Sequence, residues 1–532
     1  MLYCRSHSSG RNDLFMENDP VKKDLLKNLQ EKVYSFCTQE KKVFFLAMGI
    51  AFFCSLCYCC FFTDIHRDTA GVYALYAAEI GKGNFQEGLV SNVPMLNILL
   101  GGLLAWCGVE VMTALTLVSC FFYVATLFPL RSFLERYVSP PAASWGCVLY
   151  VCAPKLILFS CVPLLESARI FFMISALLFF FRCADKPEWK SAVLCGLSCG
   201  ALTAARGEGI MISAALLAGY LLYIPLFCRR KITGKHIGSF LLIVLCCFAS
   251  LLPFCFLNYI KSGYFIPDTR AVEFTEKLIT FVHNSRQTGA AEASQVFMSV
   301  EEGNTSWKAK IWNVLSGMFR GGYEGYVPFA LLGIFLILRR RQWKPDYFVL
   351  VGMTLMLSVI YTVVVSSYRY HLYMIPLFMM FTLTGLAATG KKLSGLLPLK
   401  GKILLGLFCI VFLAGQIHNG IARAFSKRGE TYRKAGLWIA EYGRKYCPSR
   451  PLKVYAHWIP EVIYWSKAQQ VNAYGKPFIA PETVQDFDLI VCRKGFTDVF
   501  MKRKDLERIK GVPGDGEKLM IFRKKTFSGG KP

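Results

Sequence analysis

Charged residues are scarce in this sequence, and the scarcity limits what kind of protein it can be. Asp, Glu, Lys and Arg make up 18% of the 532 residues, whereas a typical soluble domain carries about 25%. Hydrophobic residues make up 54%, and many lie in apolar blocks of about 20 residues, which is the length that spans the hydrocarbon core of a membrane. The composition excludes a soluble enzyme and predicts a polytopic α-helical membrane protein.

Acidic residues are the rarer charge. The sequence has 35 Asp and Glu against 61 Lys and Arg, which leaves a net charge of +26. In a soluble protein such an excess would suggest nucleic-acid binding. Here much of the positive charge falls in short loops between apolar blocks, where basic residues fix the cytoplasmic side of a membrane protein. We therefore expect no nucleic-acid partner, and phosphate-bearing lipids are the natural alternative.

Several motifs are also missing. The C-terminal tail holds no nucleotide-binding loop and no zinc motif, and no internal repeat is evident, which disfavours transporters built from duplicated halves. No cleavable signal peptide is expected, because the apolar run from Val43 to Phe62 is too long for a signal-peptide core. Most of the 21 cysteines lie in apolar runs as small hydrophobes. For Cys447 and Cys492 in the tail, a disulfide is the less favoured alternative.

The positions of the basic loops predict eleven transmembrane helices and a cytoplasmic N-terminus. Residues 1–42 form a cytoplasmic segment, 43–421 the transmembrane domain and 422–532 an external α/β domain. Large external loops are expected at 63–109, with two interfacial helices, and at 260–325. The predicted spans are 43–62, 110–130, 142–160, 167–183, 191–205, 210–227, 237–259, 325–338, 347–366, a tenth that ends at 389, and 403–421. In the tail, helices are predicted at 434–446, 460–466 and 502–510, and strands at 452–456, 488–492 and 519–522.

An acidic motif follows the first apolar run, and a carboxylate at a membrane boundary is costly enough to be a functional candidate. Its members are His66, Asp68, Tyr73, Ala77, Ile80, Gly83 and Pro94. The motif resembles the first external loop of the GT-C superfamily, which are membrane glycosyltransferases that use polyprenyl-phosphate sugars. It is similar in particular to bacterial relatives of protein O-mannosyltransferases and of the lipid A aminoarabinose transferase. It departs from the pattern at Thr69, where Glu is common, and at Asn92 and Val93, where Lys and Pro often stand.

The resemblance implies an activity and a location. A sugar would pass from an undecaprenyl- or dolichyl-phosphate carrier to a glycan, lipid or protein acceptor, with inversion at the anomeric carbon. The reaction would occur at the outer face of a bacterial inner membrane, with the tail on the periplasmic or extracellular side. No cofactor follows with certainty, and a divalent cation, Mg²⁺ or Mn²⁺, is an open alternative to a site without metal.

Two acids are the candidate catalytic residues. The resemblance implies that Asp68 takes the proton from the acceptor or, in some branches, binds a metal. The alternative is that Asp68 only caps the helix that follows it. Glu166 opens the fourth predicted span and could position donor or acceptor, or share a cation with Asp68. Its alternative role is that of an acid favoured by the helix dipole.

Basic and aromatic residues at external helix ends complete the predicted site. Arg369 and His371 lie in a stretch that resembles the region holding the lipid phosphate in these enzymes, and Arg206 lies in another external turn. Arginine suits phosphate because its planar guanidinium binds at several points. Tyr73 and Tyr373 are expected to contact substrate. The alternative for each cation is an interfacial charge or a salt bridge.

Two other classes of protein stay open on the sequence. A transporter or lipid flippase would need charges inside the spans, whereas the ionisable residues here fall mostly at helix ends. A non-catalytic membrane scaffold would make Asp68 and Glu166 dispensable. Loss of function at these two acids therefore separates the enzyme from the scaffold.

Overall fold

The computed structural model of the protein describes most of the chain. The described residues are 39–61, 66, 68–89, 93–267, 326–363, 368–396, 399–422, 427–456, 460–470, 487–493, 504–512 and 519–525, and the single positions 35, 312, 316 and 500. The external loop predicted at 260–325 lies mostly outside these residues.

Apolar sequence blocks give a bundle of helices. The elements are α1 (Glu40–Phe61), a π-helical segment (Thr69–Tyr73), α2 (Ala74–Gly81), α3 (Phe85–Gly88), α4 (Met95–Trp106), α5 (Val111–Ala125), α6 (Leu127–Leu134), α7 (Pro140–Cys152), α8 (Pro154–Cys161), α9 (Glu166–Asp185), α10 (Trp189–Ala205), α11 (Gly209–Leu226), α12 (Gly234–Ser262), α13 (Val327–Arg339), α14 (Asp346–Val363), a 3₁₀ turn (Tyr368–His371), α15 (Met374–Leu396) and α16 (Leu399–Ala422). Each predicted span coincides with one of these helices or with a consecutive pair.

Fewer helices than the eleven predicted are long and apolar enough to be full membrane spans. Within the described residues, six helices are long and apolar enough to cross a membrane, or seven if the bent pair α7–α8 counts as one span. Shorter apolar helices, among them α13 and α14, lie at other predicted spans. The polytopic helical fold is confirmed, and the count of eleven spans stays a prediction.

The third predicted span is broken, which corrects the prediction of one continuous helix. Ala153 has an extended backbone, because a following proline disfavours the helical conformation of the residue before it. Pro154 then begins α8, and α7 and α8 meet at a bend of 66°.

Loops predicted on the cytoplasmic side meet at one end of the bundle. Arg136 Nη1 lies 2.5 Å from Asp185 Oδ2, and Arg136 Nε lies 3.0 Å from Asp346 Oδ2. The Tyr137 hydroxyl donates to the same Asp346 oxygen at 3.0 Å, and the Tyr223 hydroxyl donates to Asp346 Oδ1. The grouping agrees with the predicted alternation of loops. Which side is cytoplasmic stays a prediction.

The tail folds as the small α/β unit that was predicted, with one error and one two-residue strand that was not predicted. Its elements are α17 (Lys427–Tyr446), β1 (Lys453–Ala456), α18 (Pro460–Ser466), β2 (Gln469–Gln470), β3 (Leu489–Arg493), β4 (Leu506–Val512) and β5 (Leu519–Lys524). The sheet order is β2-β1-β3-β5-β4, with β1 parallel to β2 and β3, and β5 antiparallel to β3 and β4. Cys447 and Cys492 are both free thiols.

The error is the helix predicted at 502–510, which is wrong from residue 506 onward. That part of the segment is strand β4, paired antiparallel with β5 and interrupted by a bulge between Arg508 and Lys510. The charged residues there favour a helix by intrinsic propensity. Pairing with β5 along the full strand outweighs that preference, because strand formation depends on the neighbouring strand more than on the segment itself.

We predict that Asp346→Ala lowers the free energy of unfolding by about 3 kcal/mol, because it removes a buried acceptor shared by one guanidinium and two hydroxyls. Thermal unfolding of the purified protein in detergent measures the effect. Glu188→Ala is the control, since its ion pair with Lys186 is solvent-exposed and should contribute little. Equal melting temperatures for the two variants would contradict the prediction.

Candidate active site

A buried turn before Glu166 organises one end of the bundle. The Thr69 hydroxyl donates to the Pro163 carbonyl at 2.7 Å. The Leu164 carbonyl accepts from Asn97 Nδ2 at 2.9 Å and from Ser119 Oγ at 3.1 Å. All three donor side chains are buried, where such hydrogen bonds are stronger than in water. The first external loop and α5 are thereby fixed to the turn that leads into α9.

Asp68 lies directly before the π-helical segment, but it does not cap it, since its side chain makes no capping hydrogen bond. Its Oδ2 lies instead 2.5 Å from Nη2 of Arg369, which is 301 positions away in the sequence. His66 joins the contact, with its Nε2 3.1 Å from Arg369 Nη1. The capping alternative is wrong, and the acid faces the predicted phosphate-binding arginine.

Glu166 is the second acid of the same cluster. Its side chain is 3% exposed, and its Oε1 lies 2.9 Å from Arg206 Nη1 and 3.7 Å from Arg369 Nε. Arg206 also contacts Glu208 through Nε at 3.0 Å. The position of Glu166 at the start of α9 suits the helix dipole, yet two arginines bind it as well. Asp68, Arg369, Glu166 and Arg206 thus form one chain of ion pairs, hereafter the ion-pair chain.

Tyr73 lies within the electrostatic reach of the ion-pair chain. Burial and the negative charges of Asp68 and Glu166 raise the pKa of the Tyr73 phenol above its usual range. The hydroxyl therefore stays protonated at neutral pH and can act as a hydrogen-bond donor.

His371 and Tyr373 are both buried, and they lie around Arg169 rather than in the ion-pair chain. The Arg169 guanidinium lies 5.0 Å from the centre of the Tyr373 ring, a cation–π distance. Burial and the charge of Arg169 lower the pKa of His371 to about 4. The imidazole is thus neutral at pH 7, and a contact with phosphate there would be a hydrogen bond rather than an ion pair.

Three residues of the site were not among the predicted ones. His66, Glu208 and Arg169 join it through the contacts above and through the charge that Arg169 exerts on Glu166. Arg169 carried a usable signal, because it follows Glu166 by three positions and residues at that spacing share a helix face. His66 was a member of the first-loop motif but was not assigned a role. Glu208 lies two positions from Arg206, and this closeness in sequence was its signal.

The two acids do not fit a shared divalent cation. The Arg369 guanidinium contacts both carboxylates, so it stands where a bridging ion would have to bind. Among the described residues, no group of three or more His, Cys, Asp or Glu side chains could hold a metal.

The structure resembles solved membrane proteins, although no family model and no curated protein matches the sequence. The fold agrees with the one that the first-loop motif predicted, because it is similar to that of the solved structures of ArnT. ArnT from Cupriavidus metallidurans bound to undecaprenyl phosphate aligns with a TM-score of 0.56 and 12% identity, over 94% of this chain and 99% of that one. ArnT from the same organism in the apo state aligns with a TM-score of 0.56 and 13% identity, over 95% of this chain and 100% of that one. The apo oligosaccharyltransferase of Archaeoglobus fulgidus aligns with a TM-score of 0.48 and 12% identity, over 81% of this chain and 64% of that one. At these identities the likeness concerns the fold.

We predict that His371 makes stability pH-dependent. The unfolded chain binds a proton at this side chain near its ordinary pKa of 6.5, whereas the folded protein binds it only near 4. The contribution of His371 to the free energy of unfolding is therefore fully present above pH 6.5. It is lost, by up to about 3 kcal/mol, as the pH falls from 6.5 toward 4. His371→Gln should flatten this part of the dependence of melting temperature on pH. His418→Gln, at an exposed position of α16, should keep the wild-type slope, and a wild-type slope in His371→Gln would contradict the prediction.

Proposed function

We propose that the protein is a membrane glycosyltransferase that moves a sugar from a polyprenyl-phosphate donor to a cell-envelope glycan, lipid or protein at the outer membrane face. One observation carries the proposal. Asp68, Glu166, Arg206 and Arg369, from four separate parts of the sequence, meet in the ion-pair chain. The ion-pair chain lies at one end of a fold that is similar to that of a protein solved with undecaprenyl phosphate.

Asp68 is the proposed base. An adjacent guanidinium favours the charged form of a carboxylate, so Arg369 keeps Asp68 ionised and able to accept a proton. The same ion pair lowers its basicity while the site is empty of substrate. A donor phosphate that draws Arg369 toward itself weakens this hold, and the carboxylate then accepts the acceptor's proton as the new glycosidic bond forms.

The arginines are proposed to bind the donor phosphate. When the sugar leaves the carrier, negative charge grows on the polyprenyl phosphate, and fixed cations that stabilise this charge lower the barrier. Arg369 and Arg206 are positioned by Glu166, and the buried Arg169 adds a third cation. Tyr73 and Tyr373 are proposed to contact substrate, and neutral His371 to donate a hydrogen bond.

The proposed site also sets the proposed location. The reaction is proposed to occur at the surface of a bacterial inner membrane, which a lipid-linked donor and a site at the end of the helices support. In this proposal the N-terminus is cytoplasmic and residues 422–532 are periplasmic or extracellular. The grouping around Asp346 of loops predicted to lie on one side, at the opposite end of the bundle from the site, supports this arrangement.

Asp68→Asn is expected to abolish transfer, because it removes the base and keeps the shape, and positioned general bases contribute roughly a hundredfold to ten-thousandfold. The measurement is mass spectrometry of envelope glycans, lipids and proteins from a deletion strain that carries each variant. Wild type and the control Glu79→Gln, a partly exposed acid of the same loop paired with Lys82, should restore the missing sugar. Restoration by Asp68→Asn would remove Asp68 from catalysis, and a deletion strain with an unchanged envelope would contradict the proposed function.

Arg369→Ala is expected to weaken binding of undecaprenyl phosphate by roughly tenfold to a hundredfold, the equivalent of one charge-assisted contact. Arg369→Lys should recover only part, because one ammonium cannot copy the guanidinium fork. Native mass spectrometry of the purified protein with this lipid measures the affinity. Arg182→Ala, at the opposite end of α9 from Glu166, is the control. Wild-type affinity in Arg369→Ala would exclude the residue from the phosphate site and favour a structural role.

A further inference from the structure

The C-terminal domain contacts the segment that follows Asp68. Helix α18 packs against the π-helical segment Thr69–Tyr73. Two of its side chains, Tyr464 and Trp465, pack against the hydrophobic core of the membrane-spanning part rather than only against their own domain. A contact of this kind transmits the position of one domain to the other.

A solvent-exposed carboxylate joins α18 to the start of α5. The Tyr464 hydroxyl donates to Glu110 Oε1 at 2.6 Å. The other oxygen of Glu110 caps α5, accepting from the Thr113 backbone N–H at 2.8 Å and from its hydroxyl at 3.0 Å. Burial and the charge of Glu110 raise the pKa of the Tyr464 phenol above its usual range, so the hydroxyl stays a donor. Hydrogen bonds to an ionised acceptor are short and about twice as strong as neutral ones.

The π-helical segment is the kind of structure that depends on its neighbours. Single π-turns are rare in helices and often occur at functional sites, and such local geometry persists only where the surroundings hold it. On one side the Thr69 hydroxyl is bonded to the Pro163 carbonyl. On another side lies α18. Asp68 directly precedes the segment and Tyr73 ends it.

Helix α18 is itself held firmly within the C-terminal domain. A Cβ at Gly436 of α17 would overlap the Trp465 Cβ, so the two helices are in close contact. The Arg433 guanidinium lies 5.3 Å from the Trp465 ring. The face that α18 presents to the π-helical segment is therefore backed by the rest of its domain.

We propose that the C-terminal domain positions Asp68. Tyr464, through its hydrogen bond to Glu110, holds α18 against the π-helical segment and thereby keeps Asp68 in contact with Arg369. Tyr464 and Glu110 act as positioning residues, and neither contacts the ion-pair chain in the structure. The kinetic part of this inference rests on the proposed function, in which Asp68 is the base. The structural part does not.

Tyr464→Phe is the sharpest variant, because it removes the hydroxyl and keeps the ring. A displacement of Asp68 by about 1 Å is enough to cost up to roughly a hundredfold in rate, so kcat should fall by roughly tenfold or more while the donor KM changes little. The acidic limb of the kcat profile should move to higher pH, because a carboxylate farther from a guanidinium binds its proton more tightly. Tyr442→Phe is the matched control, since the Tyr442 hydroxyl contacts Arg523 within the C-terminal domain.

Two measurements on the full-length protein test the proposal. Hydrogen exchange followed by mass spectrometry should show faster exchange of residues 69–73 in Tyr464→Phe than in wild type or Tyr442→Phe. Transfer kinetics should show the lower kcat and the shifted acidic limb in Tyr464→Phe alone. Unchanged exchange would overturn the proposal, and so would faster exchange with wild-type kcat and pH profile. If wild type transfers no sugar, the proposed function fails, and exchange alone then decides whether Tyr464 holds the segment.

Discussion

The contact of one guanidinium with two carboxylates is the constraint on which the rest of the site depends. Arg369 reaches Asp68 from one side and Glu166 from the other, so the first loop, the start of α9 and the stretch before α15 must come together. Buried charges are tolerated only when they are paired. The buried turn before Glu166 fixes the first loop and α5 beside the acid, and Arg206 pairs with Glu166 as a second cation.

The two ends of the bundle use the same kind of interaction for different purposes. Around Asp346, a buried carboxylate at the start of α14 is shared by Arg136 and Tyr137 of the turn after α6 and by Tyr223 of α11. That cluster has no role in the proposed chemistry. At the other end, Asp68, Arg206 and Arg369 lie in loops or turns and Glu166 opens α9. The ion-pair chain, and not the Asp346 cluster, is the proposed site because it brings together the two acids and two arginines that were candidates from the sequence.

Much of this arrangement could be predicted from the sequence, and the reasons for the failures are physical. Apolar runs located the helices, because a membrane span has to be apolar over its whole length. Asp68, Glu166, Arg206 and Arg369 were identifiable because they lie at the external ends of apolar runs and because the stretches around them, Arg206 apart, resemble those of GT-C enzymes. The sequence could not show that Arg369 pairs with both acids, since 301 positions separate it from Asp68. Strand β4 was missed because its partner β5, rather than its own residues, determines its conformation.

The break between α7 and α8 changes how far Glu166 lies along the axis of α7. Eight residues of α8 make a helix about 12 Å long, and at the bend of 66° it advances only about 5 Å along the axis of α7 while moving about 11 Å across it. A straight helix would carry the next turn, and Glu166 with it, about 7 Å farther out. The bend thus keeps the acid closer to the apolar part of the bundle than a straight helix would. Under the proposed function, this position would let a sugar attached to a lipid phosphate reach the acid while the lipid tail stays in its leaflet.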